Sequence, residues 1–313
     1  MTTPAITVIV IAYNAEKFIS RCIESIIHQS FVDYELLIIN DGSTDNTKKI
    51  IDDYQTKYPQ IQSIHQKNQG VAFSRQKGLD LASGQYTIFV DADDWIEPEM
   101  IGTLYCIAIQ EDADIVFSDF LEEIESGTFY RKQQPKSRDS KEVLKQMLVD
   151  LHGGLCNKLI RRDLYVRTGI RFIETLNYRE DECLLIRLLS TGCRVSYVDK
   201  AFYHYDKKVN NHSISNLSVS IPPIRECDVF LESCEPYFNT PELKRTFSHR
   251  VTDILRSFTY APKEYYKECR RFYQKYKRFV FISALPLTKK LFYVLYFNGF
   301  RFLGQLRSVL RSI

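Results

Sequence analysis

Gly84-Gln-Tyr-Thr-Ile-Phe-Val-Asp-Ala-Asp-Asp-Trp95 decides the architecture of this chain. The run Tyr86–Val90 has the length and the β-branched, aromatic content of a buried strand. It ends abruptly in Asp91, Ala92, Asp93 and Asp94. A sheet interior does not tolerate unpaired acids, so the strand must reach a rim there. Side chains alternate along a strand end, so Asp91 and Asp93 are expected to face the same way and offer two hard oxygen donors. Such donors suit Mg²⁺ or Mn²⁺, which complete their shells with substrate phosphates and water. The same composition also suits a solvated turn that caps a helix. The tetrad alone leaves both readings open.

Two upstream runs have the same form: Ile6–Ala12 before Tyr13-Asn14, and Glu35–Ile39 before Asn40-Asp41-Gly42-Ser43-Thr44-Asp45. A helical stripe follows each. Phe18, Ile19, Cys22, Ile23, Ile26 and Ile27 make one, and Ile50, Ile51 and Tyr54 continue another behind an Asp45 N-cap. Strand and helix in alternation predict a parallel sheet covered on both faces, with ligands outside the carboxyl ends of its strands. Asp41 and Asp91 then share one rim. Further along, Asp114–Ser118 reads as a strand, Glu122–Gln134 as a polar hairpin or loop around Ser126-Gly127, and Ser140–Val149 as a helix. Leu155–Gly169 reads as another helix, with Leu159, Ile160, Leu164 and Tyr165 on one face, and Arg194–Val198 as a late strand.

Val8–Asn14, Asn40–Asn46, Asn68–Gly78 and Gly84–Trp95 resemble, in order and spacing, the motifs of a family 2 glycosyltransferase of the GT-A fold. The likeness is close over the first hundred residues and looser to about Ser215. It implies a Rossmann-like, mixed but mostly parallel sheet flanked by helices. The implied reaction is an inverting sugar transfer from a nucleotide diphosphate sugar, with Mn²⁺ or Mg²⁺ as cofactor. Periodicity alone predicts only a nucleotide-sized crevice on an α/β sheet.

In Tyr178-Arg179-Glu180-Asp181-Glu182, followed by Leu184, Leu185, Leu188 and Leu189, Asp181 falls at a helix N-terminus. The dipole and free N–H groups there favour an ionised carboxylate, whether it serves as a plain cap or as a base. The resemblance favours the base, which takes a proton from the acceptor hydroxyl, and gives Glu180 a part in orienting the acceptor. On the donor side, Asp41 suits the imide N–H of uracil or an Asx turn before Gly42. Arg75 offers a donor fork for the diphosphate or the acids, where a surface helix arginine is the plainer reading. Tyr13 suits stacking on the base or a place in the core. Asn68, Asp91 and Ala92 complete the expected donor set. Asp93 is the expected direct metal ligand, Asp91 is shared between ribose and metal shell, and Asp94 is supporting. Ser74-Arg75-Gln76 departs from the family's alanine-arginine-asparagine but keeps Arg75 in register. His212 resembles a late His-Ser element near the metal, although Lys207-Lys208 stand where relatives often carry an arginine.

The chain has no GxGxxG after a strand and no GxxxxGK[ST], so neither a dinucleotide dehydrogenase nor a P-loop NTPase is supported. At 313 residues, 44% of them hydrophobic, it can hold one large catalytic domain and an appendage. Eight cysteines without CxxC pairing read as reduced core residues of a cytosolic protein, and no export signal is legible at residues 1–30. Lys263–Ile313 carries twelve Lys or Arg against two Glu, a net +10 that leaves −7 for residues 1–262. Thirteen aromatic residues lie in the same segment, from Tyr265 to Phe302. This composition favours a helix lying on an anionic membrane over one that binds nucleic acid or merely covers the acidic domain, while Pro286, Lys289 and Lys290 interrupt any span.

The expected layout is a catalytic domain over 1–215, with nucleotide-sugar binding in 1–100 and acceptor side and base in 101–215, followed by a basic, aromatic helical region over 216–313. The expected activity transfers a hexose, from a UDP-sugar, to a lipid-linked oligosaccharide or other surface-polysaccharide precursor at the inner face of the cytoplasmic membrane, with no nucleic-acid partner. A sugar-1-phosphate nucleotidyltransferase and a non-catalytic membrane-bound nucleotide-sugar sensor are the alternatives. Ala12-Tyr-Asn-Ala15, unlike a glycine-rich basic loop, disfavours the first, and intact Asp93 and Asp181 disfavour the second.

Overall fold

The computed structural model describes residues 3–208 and 222–299. The chain divides into two compact units, residues 1–147 with 151–216, and residues 148–150 with 217–313. The expected boundary at 215 and the candidate His212 lie outside the described residues.

The first unit is built on a nine-stranded mixed sheet in the order β3-β2-β1-β4-β8-β6-β9-β5, with β7 paired to β6. Strands β1 (Ile6–Ala12), β2 (Tyr34–Asp41), β3 (Ile61–Gln66) and β4 (Tyr86–Asp91) run parallel. Their register pairs Ala12 with Asn40, Ile11 with Asp91 and Asp41 with Gln66. The ends of all four strands therefore form one rim, as the alternation of strands and helices requires. Helices α1 (Ile19–Ile27), α2 (Thr47–Lys57) and α3 (Val71–Leu81) are the crossovers. Gly78 lets α3 lie close on β1, since a Cβ there would sit 2.6 Å from Cγ2 of Ile9. That close approach seats Arg75, one turn earlier, over the rim.

Past β4 come β5 (Trp95–Ile96), α4 (Met100–Gln110), β6 (Ile115–Ile124), β7 (Gly127–Arg131), α5 (Ser140–Met147), β8 (Lys158–Arg161), α6 (Arg162–Thr168), α7 (Glu180–Leu189) and β9 (Val195–Asp206). The hairpin at Ser126-Gly127 is present. Three details differ from the sequence expectation. Leu155–Gly169 is not one helix: Lys158–Arg161 is a strand wedged antiparallel between β4 and β6, and only Arg162–Thr168 is helical. Leu159 and Ile160 are both buried because this strand is covered on both faces, which imitates a helical stripe. Helix α2 starts at Thr47, and Asp45 accepts from the Thr47 N–H from outside the helix at 3.0 Å. Strand β9 is twelve residues long because it pairs with β6 from Val195 to Asp206 across an irregularity at Ser118–Phe120, while β5 pairs with its other edge at Tyr203 and His204.

The second unit is helical: α8 (Ile224–Cys234), α9 (Pro241–Phe258), α10 (Tyr266–Ile282) and α11 (Leu287–Phe297). Thr240 caps α9 by accepting from Leu243 N–H at 3.2 Å. Seven of the aromatic residues expected on a membrane, Phe272, Tyr273, Tyr276, Phe279, Tyr293, Tyr296 and Phe297, are buried instead. They pack on one another and on Phe247 and Phe258, for example Phe247–Phe279 at 5.5 Å and Phe258–Phe272 at 4.9 Å, both edge to face. The rings recur at helical spacing because they form this unit's own core. All eight cysteines are free, and all but Cys106 are buried.

Candidate active site

The acids of the quoted stretch do not continue the strand. β4 stops at Asp91, and a turn closed by Asp94 N–H donating to Asp91 C=O at 3.0 Å carries Ala92 and Asp93. A tight turn, and not strand alternation, brings Asp93 beside Asp91. Arg21 secures that turn by donating to the Asp93 carbonyl at 2.6 Å and to Asp206 at 2.8 Å. Asp94 points inward and is fully buried, accepting from Tyr203 Oη at 2.5 Å and Asp206 N–H at 2.8 Å. Burial, reinforced by the charges of Asp91 and Asp93, pushes the Asp94 carboxyl well above its usual range. It fastens the turn to β9, and Tyr203 also accepts from the Asp91 N–H at 3.1 Å.

Arg75 gathers the remaining acids. Its Nη2 donates to Asp91 Oδ1 at 3.1 Å, and its Nη1 lies 3.1 Å from Glu180 Oε1 and 3.4 Å from Asp181 Oδ2. Burial alone would depress the guanidinium, but Glu180, Asp91 and Asp181 reverse this and hold it charged. Burial raises both Glu180 and Asp91. Arg75 opposes it, and the neighbouring acids add to it. Nη1 of Arg75 is therefore shared between two carboxylates, while its Nε is buried without a hydrogen-bond partner among the described residues.

Glu180 and Asp181 begin α7 directly after Arg179, whose backbone is left-handed at φ 58°. A non-glycine residue holds that conformation only where its surroundings enforce it. Arg179 is held by Glu182, 2.6 Å from its Nη1, and by Tyr178. Asp181 also accepts from the Glu182 N–H at 2.9 Å.

Three features of this region were not read from sequence. Lys158 is buried, and its ammonium donates to the carbonyls of His152 at 3.0 Å and Gly154 at 2.6 Å and to Asn157 Oδ1 at 2.7 Å. Burial depresses it to about 8. The loop it ties presses on α7: a Cβ on Gly153 would sit 2.9 Å from Glu182 Cγ, and one on Gly154 would sit 3.4 Å from Asp181 Oδ2. His152, on the same loop, is lowered by burial first and by Lys158 second, and is neutral near pH 7. Asn177 accepts from Ala72 N–H at 3.2 Å, joining the approach to α7 to the start of α3. A lysine inside an apolar run and the adjacent pair Gly153-Gly154 were the available signals.

Among the residues expected to bind the donor, Asp41 is buried and accepts from Gln66 Nε2 at 2.8 Å and from the N–H groups of Gln69 and Gly70, each at 2.9 Å. Gly42 lies so close to Asn68 that a Cβ would meet its nitrogen at 2.5 Å, and Gly70 is equally jammed against the Asn177 amide. Asn68 is exposed, and so is Tyr13, at 53%. Asn14, at φ 49°, accepts from Thr44 N–H at 2.8 Å, tying the loop after β1 to the loop after β2. Lys207 and Lys208 pair with Glu122 and Glu123 of β6.

Among the described residues no three His, Cys, Asp or Glu side chains are arranged as a metal centre. Two adjacent carboxylates, Asp91 and Asp93, nevertheless fit a hard divalent ion whose other ligands arrive with a diphosphate, because such ions are commonly held by one or two carboxylates plus substrate phosphates.

The family model described as glycosyl transferase family 2 matches residues 7–169, and the chain belongs to that family. It is 31% identical over 225 residues to the uncharacterised glycosyltransferase YibD of Escherichia coli K12, covering 69% of this chain and 64% of the relative. The chain spans less than two thirds of the length of the curated relatives it matches here. In fold it is similar to S. aureus TarS 1-349 in complex with UDP-GlcNAc, with a TM-score of 0.72, 20% identity, and coverage of 89% of this chain and 83% of the other. It is also similar to mannosyltransferase PcManGT of Pyrobaculum calidifontis in complex with GDP-Man and Mn²⁺, at TM-score 0.54 and 14% identity, covering 96% and 88%.

Proposed function

We propose that this chain is an inverting, metal-dependent glycosyltransferase that moves a hexose from a UDP-sugar to a hydroxyl of a lipid-linked oligosaccharide or other surface-polysaccharide precursor. One observation carries the reading: a single buried guanidinium, Arg75, joins the acid at the end of β4 to the acids that open α7. In this reading donor phosphate and acceptor hydroxyl meet where these two groups converge. Family membership and the UDP-GlcNAc complex of TarS support a nucleotide-sugar donor, and the Mn²⁺ complex of PcManGT supports a divalent ion.

In this mechanism Asp91 and Asp93 hold the ion, which when bound supplies positive charge to the departing nucleoside diphosphate. Arg75 turns its donors toward the diphosphate. Tyr13 stacks on the base, and Asp41, with Asn68 and Ala92, shapes the nucleoside end. Asp181 takes the proton of the acceptor hydroxyl as that oxygen attacks the anomeric carbon from the face opposite the leaving group. Glu180, buried beside it, keeps the acceptor and Arg75 in place. Residues 1–215 form the catalytic domain, and residues 216–313 bring it to the inner face of the cytoplasmic membrane. No helix among the described residues is long and apolar enough to cross a bilayer, so this attachment is peripheral in the proposal.

The test is release of nucleoside diphosphate from a panel of UDP- and GDP-sugars, with and without Mn²⁺, using wild-type and Asp181→Asn chains. Metal-dependent turnover of a UDP-sugar that the variant loses is expected. Turnover of a sugar 1-phosphate with a nucleoside triphosphate, or nucleotide binding without any turnover, would favour the nucleotidyltransferase or sensor reading.

A further inference from the structure

We propose that the tip joining α10 to α11 is a wedge that inserts into an anionic lipid surface, with Phe281, Ile282, Leu287 and Leu291 entering the bilayer boundary. The proposal rests on the membrane attachment proposed above and names the surface that makes it. Most rings of this region are consumed in the core of the second unit, so the aromatic composition by itself no longer argues for lipid. What remains outside is concentrated. Of the fourteen large hydrophobic residues exposed among the described residues, four fall within 281–291, at 55%, 43%, 81% and 53% exposure in chain order. Hydrophobic residues exposed singly are ordinary, whereas a cluster marks a contact surface.

The geometry suits insertion. Phe281 and Ile282 are the last two residues of α10, and Leu287 and Leu291 share one face of α11, a turn apart. Pro286 starts α11, and Lys290 Nζ donates to the Phe281 carbonyl at 2.8 Å, so a cation closes the tip and satisfies an end of α10. Cys269–Asn298 contains seven Lys or Arg and no Asp or Glu. Lys289 and Lys290 stand within the tip and Lys277 one turn behind it, whereas Lys275 and Arg278 pair with Asp228, Glu232 and Glu235. Apolar side chains ringed by cations match the chemistry of anionic headgroups over acyl chains. A second copy of this chain is a poor occupant, because a two-fold contact would bring the same cations face to face.

The experiment is flotation of the full chain with vesicles of phosphatidylcholine alone or with 30% phosphatidylglycerol, followed across NaCl concentration. The wild type should float with the anionic vesicles. F281S/L287S/L291S should lose at least tenfold in partitioning while keeping its helicity and its Mn²⁺–UDP affinity, and K289E/K290E should lose binding most at low salt. Leu287→Trp should show a blue shift and quenching by brominated lipid in anionic vesicles, which tests the tip even where the triple variant does not fold. If the wild type does not float, the membrane attachment and the wedge both fail. If the wild type floats and the triple variant floats equally, or the tryptophan stays in water, the wedge alone fails. A dimer of the wild type that F281S/L287S/L291S dissociates, with no lipid binding, would assign the surface to self-association instead.

Discussion

Nη1 of Arg75 lies 3.1 Å from Oε1 of Glu180, although the two residues belong to helices separated by about a hundred positions of chain. Both are buried, and their pairing makes the end of β4 and the start of α7 share one charge. Removing one partner of a buried pair costs about 3–5 kcal/mol, because the other charge is left uncompensated. Arg75→Met is therefore expected to destabilise the first unit by up to roughly that amount at high pH, and by less at low pH, where the raised Glu180 and Asp91 carboxyls hold protons. Arg75→Lys should not rescue it, since an ammonium cannot serve Asp91 and Glu180 together as a planar fork does. Urea unfolding of the three proteins measures this.

Asp93→Ala should abolish Mn²⁺-dependent binding of UDP while leaving the melting temperature within a few degrees of wild type. The buried Asp94 and Asp206 fasten this turn to β9 and to Arg21, and both remain in the variant. Calorimetric titration with UDP, with and without Mn²⁺, decides the matter. Unchanged affinity would remove Asp93 from the ion's shell.

Asp181→Asn preserves shape and removes only the capacity to take a proton. It should lower kcat by at least about 10²-fold, the scale of general-base catalysis, with UDP affinity unchanged. Loss of UDP affinity with kcat intact at saturation would make Asp181 a binding residue and move the base to Glu180.

Glu180 gives the pH dependence a definite sign. Burial raises its carboxyl above the ordinary 4.5, so the folded chain retains a proton that the unfolded chain has lost. Stability must then fall as pH climbs from about 4.5 through the raised native value. Asp91, raised for the same reason, acts in the same direction. Glu180→Gln should flatten this slope, so the stability difference between wild type and variant shrinks or inverts toward high pH. Denaturant midpoints between pH 4.5 and 8 give the comparison.

Much of the sheet was legible because strand ends are punctuated by acids and glycine: Ile6–Ala12, Glu35–Ile39 and Tyr86–Val90 announce themselves by leaving apolar character at a rim. Lys158–Arg161 was not legible. Four residues buried on both faces carry no period, and pairing with β4 and β6, not local preference, makes them a strand. The convergence of Arg75 with Glu180 was hidden for a related reason, since nothing local to either residue encodes a contact formed by tertiary packing. The aromatic tail was misleading because an amphipathic helix reads alike whether its apolar face meets lipid or a neighbouring helix. Only burial distinguishes Tyr276 from Phe281.

Gly42 and Gly70 give the crevice unequal freedom to be redesigned. A side chain at Gly42 would strike the Asn68 backbone, and both glycines hold positive φ, at 76° and 90°, so the end proposed for the nucleoside tolerates little change at either position. A shopping list of mutations for altering which sugar is accepted should pass over that end.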